Sequence, residues 1–92
     1  TFRALLSDYP ELVEARNNLA VLLAQKGEYA LARDELERAV QTSPDYAVAH
    51  ENLGDVYARM AEEQYRRAVD LDKRNKTAPT KLKLVQDVNA GH

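Results

Sequence analysis

Residues 18–23 read Asn18-Leu19-Ala20-Val21-Leu22-Leu23, and residues 52–57 read Asn52-Leu53-Gly54-Asp55-Val56-Tyr57. The two stretches lie 34 positions apart, as do Pro10 and Pro44. A fixed period of this order marks a repeated supersecondary unit, one that cannot bury its apolar face alone and must stack on its neighbours. The spacing around it says what the unit is made of. Leu12, Ala15, Leu19, Leu22 and Leu23 recur at helical intervals until Gly27. Tyr29, Ala32, Leu36, Ala39 and Val40 do the same until Ser43-Pro44. Phe2, Leu5, Leu6 and Tyr9 form a third such stripe ahead of Pro10. Each stripe is one face of an α-helix laid on a core. The opposite faces carry Arg33/Glu37, Asp34/Arg38, Glu62/Arg66 and Glu63/Arg67. These are expected as solvated pairs one turn apart, each worth a few tenths of a kcal/mol.

Composition narrows what such a chain does. With 92 residues there is room for one small domain. Only 3 Gly and 3 Pro leave little turn chemistry, which favours a few long helices over many strands. Lys and Arg number 13 against 15 Asp and Glu, a balance that argues against general nucleic-acid binding. The absence of Cys excludes disulfide scaffolds and thiolate chemistry. The longest apolar run, Leu19 to Ala24, falls far short of the ~18–20 residues of a membrane span, so no membrane insertion is expected. The compartment stays open between bacterial cytoplasm and periplasm.

No catalytic, cofactor-binding or metal-binding residues are expected. His50 stands at helical spacing from Leu53 and Gly54, where a packing role at the core or groove edge is expected. His50-Glu51 lacks the second His of a zinc pair, and His92 is terminal. Glu62-Glu63 reads as solvated surface, and the dispersed glycines build no phosphate loop.

The residues quoted at the 34-residue period resemble those of the tetratricopeptide repeat family. Repeat one carries Leu19-Ala20-x-x-Leu23, Gly27-Glu28-Tyr29, Ala32-x-x-x-Leu36-x-x-Ala39 and Pro44. Repeat two carries Leu53-Gly54-x-x-Tyr57 and Ala61-x-x-x-Tyr65-x-x-Ala68. The resemblance implies an all-α fold, a short solenoid of antiparallel helix pairs. Small residues (Ala20, Gly54, Ala32, Ala61) are expected where paired helices approach. Leu19, Leu23, Tyr29, Leu36, Leu53, Tyr57 and Tyr65 are expected to fill the space around them. The organisation expected is a single domain over 1–92: a partial preceding repeat at 1–9, repeat one at 10–44, a shortened repeat two at 45–75 and a C-terminal capping helix at 76–89. Thr77 is placed to cap that last helix and Pro79 to sit in its first turn. Half-repeats at both ends point to a solenoid cut from something longer at its N-terminus and capped at its C-terminus.

Repeat two departs from the pattern. Ala39-Val40 to Ala68-Val69 spans 29 residues, five short of the period, and the loss falls between Met60 and Ala61. What remains from Ala58 to Gln64 is all good helix former. Three readings stay open: the pair fuses into one helix from about Tyr46 to Asp72, a tight turn forms around Arg59–Glu63, or five mobile residues are missing from the sequence. A fused helix could not fold back on itself, and its second half would need another surface. A homodimer by exchange is the expected consequence.

The family resemblance also implies a function: binding a protein or peptide in a concave groove lined by the first helix of each pair. Matching positions place Glu14, Asn17, Val21, Ala24, Val48, Glu51, Asp55, Ala58 and Arg59 on that face. The lysines of a carboxylate clamp are absent, with Asn17, Val21 and Glu51 in their place. Glu14, Glu51 and Asp55 make the groove mildly acidic, which suits a basic partner. The expectation is a non-catalytic interaction module. The alternatives are homo-oligomerisation through the altered second repeat, or a regulatory appendage of a bacterial envelope or secretion enzyme. Charge is divided along the chain: residues 1–72 hold 8 Lys/Arg against 14 Asp/Glu, and residues 73–92 hold 5 against 1. The basic end reads as a polar helix cap, or as a patch for an acidic partner or an acidic neighbouring copy.

Overall fold

The computed structural model describes residues 10–91. The half-repeat expected at 1–9 therefore lies outside the described residues. Four helices follow one another within them: α1 (Pro10–Gln25), α2 (Tyr29–Thr42), α3 (Ala47–Leu71) and α4 (Ala78–Ala90). No strand occurs among the described residues. The fold is all-α, built from helical hairpins of the solenoid kind.

The sequence sets the boundaries. Pro10 opens α1, where its missing N–H and fixed φ cost nothing. Gly27 closes it at φ +82°, a left-handed conformation that favours glycine. The Gly27 N–H donates to the Ala24 carbonyl at 3.0 Å and the Glu28 N–H to the Leu23 carbonyl at 2.9 Å, so the last carbonyls of the helix are satisfied. α2 ends where the Ser43 N–H reaches the Ala39 carbonyl at 2.8 Å and Pro44 forbids continuation. His50 is exposed, and its Nε2 bonds the Pro44 carbonyl at 2.9 Å. It tethers the start of α3 to the preceding turn instead of packing in a core.

α3 is the fusion of two repeat helices. It runs 25 residues without a break, about 37 Å at 1.5 Å per residue. Nothing from Ala58 to Gln64 offers a turn, so the propagating helix has no reason to stop.

The described residues divide into two compact units, 10–56 and 57–91, and α3 contributes to both. In the first, the short connection between α1 and α2 makes them antiparallel neighbours. Ala20, Ala32, Leu36, Ala39 and Ala49 are fully buried, and Val13 and Val56 nearly so. The alanines let the helix backbones approach, and Leu36 fills the remaining volume. Arg16 on α1, only 6% exposed, reaches Glu35 on α2 at 2.7 Å. Asn52 on α3 donates to Asn17 on α1 at 3.0 Å.

In the second unit Asn89, 4% exposed, fastens α4 to α3. Its Nδ2 donates to the Ala58 carbonyl at 3.3 Å and to Glu62 Oε1 at 2.7 Å. Arg59 donates to the Asn89 carbonyl at 3.3 Å.

Four expectations require correction. Among the described residues of one chain, a Cβ added at Gly54 would meet nothing within 4 Å, so this glycine serves no close approach within the chain. Leu19 is 47% and Tyr57 44% exposed, and neither fills a core. At 100° per residue, burying Ala20 against α2 turns Leu19 onto the flank. Gly54 and Tyr57 lack a helix folding back on them from within α3. Thr77 holds the position before α4, but its side chain makes no cap bond; Asn75 Oδ1 accepts from the Ala78 N–H at 2.9 Å instead. Of the expected surface pairs, Glu62–Arg66 forms at 2.8 Å; Arg33 also bonds Asp34, and Arg38 also lies near Glu35.

Candidate functional site

The site implied by the family resemblance is a pair of helical stripes. Glu14, Asn17, Val21 and Ala24 follow one another at intervals of three and four on α1. Val48, Glu51 and Asp55 do so on the first part of α3. All seven belong to the first compact unit. Glu14 and Glu51 are exposed, Val21 is 36% and Val48 48% exposed, and Ala24 and Asp55 are part-buried. Asn17 differs from the rest. It is 4% exposed and accepts the hydrogen bond from Asn52, so it forms the seam that holds the two stripes in place. Its amide oxygen is occupied within the fold.

Ala58 and Arg59 fall in the second unit, together with Asn89 and Glu62. Ala58 is part-buried and its carbonyl accepts from Asn89; Arg59 is exposed and bonds the Asn89 carbonyl. Both are engaged in holding α4. The Asn89 hydrogen bond, aided by Arg66 and Arg59, holds the Glu62 carboxyl below its ordinary pKa against a smaller desolvation effect.

Sequence spacing missed a second apolar feature. A shallow cleft of about 290 Å³ lies between the C-terminal part of α3 and α4, lined by Ala61, Tyr65, Lys81, Leu84, Val85 and Val88. Leu84 is 62% and Val88 54% exposed. The signal for it was present: Leu84 and Val88 stand one turn apart on the flank of the Leu82/Val85 stripe. A capping helix is expected to be polar on that flank, so the pair does not stand out by spacing.

Among the described residues no group of three or more His, Asp or Glu is placed to hold a metal ion. No helix among them is long and apolar enough to cross a membrane. The helical stripes present acidic side chains and half-exposed valines at the surface. Residues 22–60, from the end of α1 through α2 into α3, match the family model described as TPR repeat. No curated protein and no solved structure matches the chain.

Proposed function

We infer the task of this chain from the tetratricopeptide repeat it carries at residues 22–60: it is a protein–protein interaction module of a generally non-catalytic family. The groove is formed by the α1 and α3 stripes, and its occupant is an extended peptide or helix bearing Lys or Arg. Glu14, Glu51 and Asp55 supply the attraction, and Val21 and Val48 supply apolar contact. The observation that carries this reading is the Asn17–Asn52 bond. It fixes α1 against α3, so the acidic stripes are ordered before a partner arrives. A preorganised surface loses little conformational entropy on binding.

Peptide display against the immobilised chain tests it. Recovered sequences should be enriched in Lys and Arg, and the double variant Glu14→Lys/Glu51→Lys should lose them. Both positions are exposed, so the melting free energy should stay within about 0.5 kcal/mol of the parent. Recovery of acidic or neutral peptides, or unaltered binding by the double variant, contradicts the reading.

A second reading, homo-oligomerisation through the altered second repeat, has its own support. Gly54 is a small residue without a close neighbour, and Tyr57 beside it is 44% exposed.

A further inference from the structure

The first compact unit contains a complete set of three helical segments: α1, α2 and the beginning of α3. The second unit repeats two of them at a shift of 29 residues. Ala32, Leu36 and Ala39 of α2 correspond to Ala61, Tyr65 and Ala68 of α3. Ala49, Leu53 and Val56 at the start of α3 correspond to Ala78, Leu82 and Val85 of α4, residue type for residue type.

The counterpart of α1 is what the second unit lacks. By the 34-residue period that counterpart is the first part of α3 itself. It cannot turn back onto residues 61–71 of its own helix, because Gly54 and Ala61 are separated by about 10.5 Å along one rod. Burial records the gap. Ala32, Leu36 and Ala39 are fully buried and Val56 is 4% exposed, whereas Ala61, Tyr65, Ala68 and Val85 all remain part-exposed. Three of those four line the open cleft beside α4.

We propose that this cleft receives residues 47–57 of a second copy of the chain, and that the exchange is reciprocal. Each copy then completes the helical set of the other across a two-fold axis. Gly54 of the incoming helix takes the close-approach position that Ala20 holds in α1. Charge favours the same pairing. Residues 1–56 hold 5 Lys/Arg against 10 Asp/Glu, and residues 57–92 hold 8 against 5, so an acidic part meets a basic part at each of the two contacts. This rests on the oligomerisation reading above and gives it a mechanism.

Sedimentation velocity over a concentration series tests it with two variants. In Gly54→Leu the new side chain meets open space in a lone chain but overpacks an exchanged interface. The other variant inserts Gly-Glu-Tyr-Ala-Leu between residues 60 and 61, restoring the turn and letting one chain fold back on itself. The parent should sediment as a dimer. Both variants should associate about tenfold or more weakly, with helical circular dichroism retained. A parent dimer that both variants leave intact overturns the exchange while keeping oligomerisation by another face. A parent that stays monomeric at every concentration overturns both, and a monomer that still recovers Lys/Arg-rich peptides leaves the groove reading standing alone.

Discussion

Three donors converge on Asn75 Oδ1: the Thr77 and Ala78 N–H groups and the Thr77 hydroxyl, at 3.0, 2.9 and 3.0 Å. The N–H groups at the start of α4 thereby gain an acceptor from a residue ahead of the formal cap. Asn75→Ala should cost about 1 kcal/mol in thermal or urea unfolding, and Thr77→Ala less, since both N–H donors would keep their acceptor. An equal or reversed ranking would count against this geometry. A hydroxyl directly before a helix is the commoner capping signal, and Thr77 carries it. An Asn two residues earlier caps only through its turn conformation, which spacing alone does not report. Glu62 is a second case. Its pKa is lowered chiefly by Asn89 and then by its Arg neighbours, so its stabilising contribution is present above the ordinary carboxylate value of 4.5 and lost as pH falls through the lowered one. Melting temperature should therefore decline on acidification more steeply in the parent than in Glu62→Gln. Parallel pH profiles would show that the Asn89 bond carries no such weight.

Helices were the most legible elements because their punctuation is chemical. Gly27 is the residue that tolerates φ +82°, and Pro44 cannot extend α2. The fusion of α3 was legible in the same way, from the absence of any breaker between Ala58 and Gln64. Gly54 shows where that reasoning fails. A small residue marks close approach only when a second helix is there to approach, and that depends on tertiary arrangement. In the α1–α2 pair the condition is met. Leu36 is the one large side chain fully buried there, with Ala32 and Ala39 on either side. Leu36→Ala should cost about 2–5 kcal/mol by lost burial and the cavity left behind, measured by denaturant unfolding. Tyr65→Ala, at the corresponding but part-exposed position, should cost clearly less in the monomeric state. Comparable losses would mean that the two repeats are equally packed.

Across the whole chain, the period of 34 residues and its shortening to 29 explain most of what the molecule presents. In the exchange proposed above, residues 10–56 form a complete helical set and residues 57–90 form a set lacking its first member. The exposure of Glu14, Val21, Val48 and Glu51 agrees with the positions that the family resemblance assigns them. The burial of Asn17 and the engagement of Ala58 and Arg59 with Asn89 were not legible in the sequence, since hydrogen bonds between distant segments leave no periodic trace. The exchange between copies depends on α3 remaining one helix through the point where the repeat should turn. The chain contains no Cys, so spin labels can be placed at Val48→Cys and Asp70→Cys without background. Both positions are exposed. With labelled chains diluted in unlabelled ones, pulsed dipolar spectroscopy should give one distance near the ~33 Å rise of an unbroken helix. A distance below about 20 Å, as two helices packed side by side would give, would contradict the fusion and the exchange inferred from it.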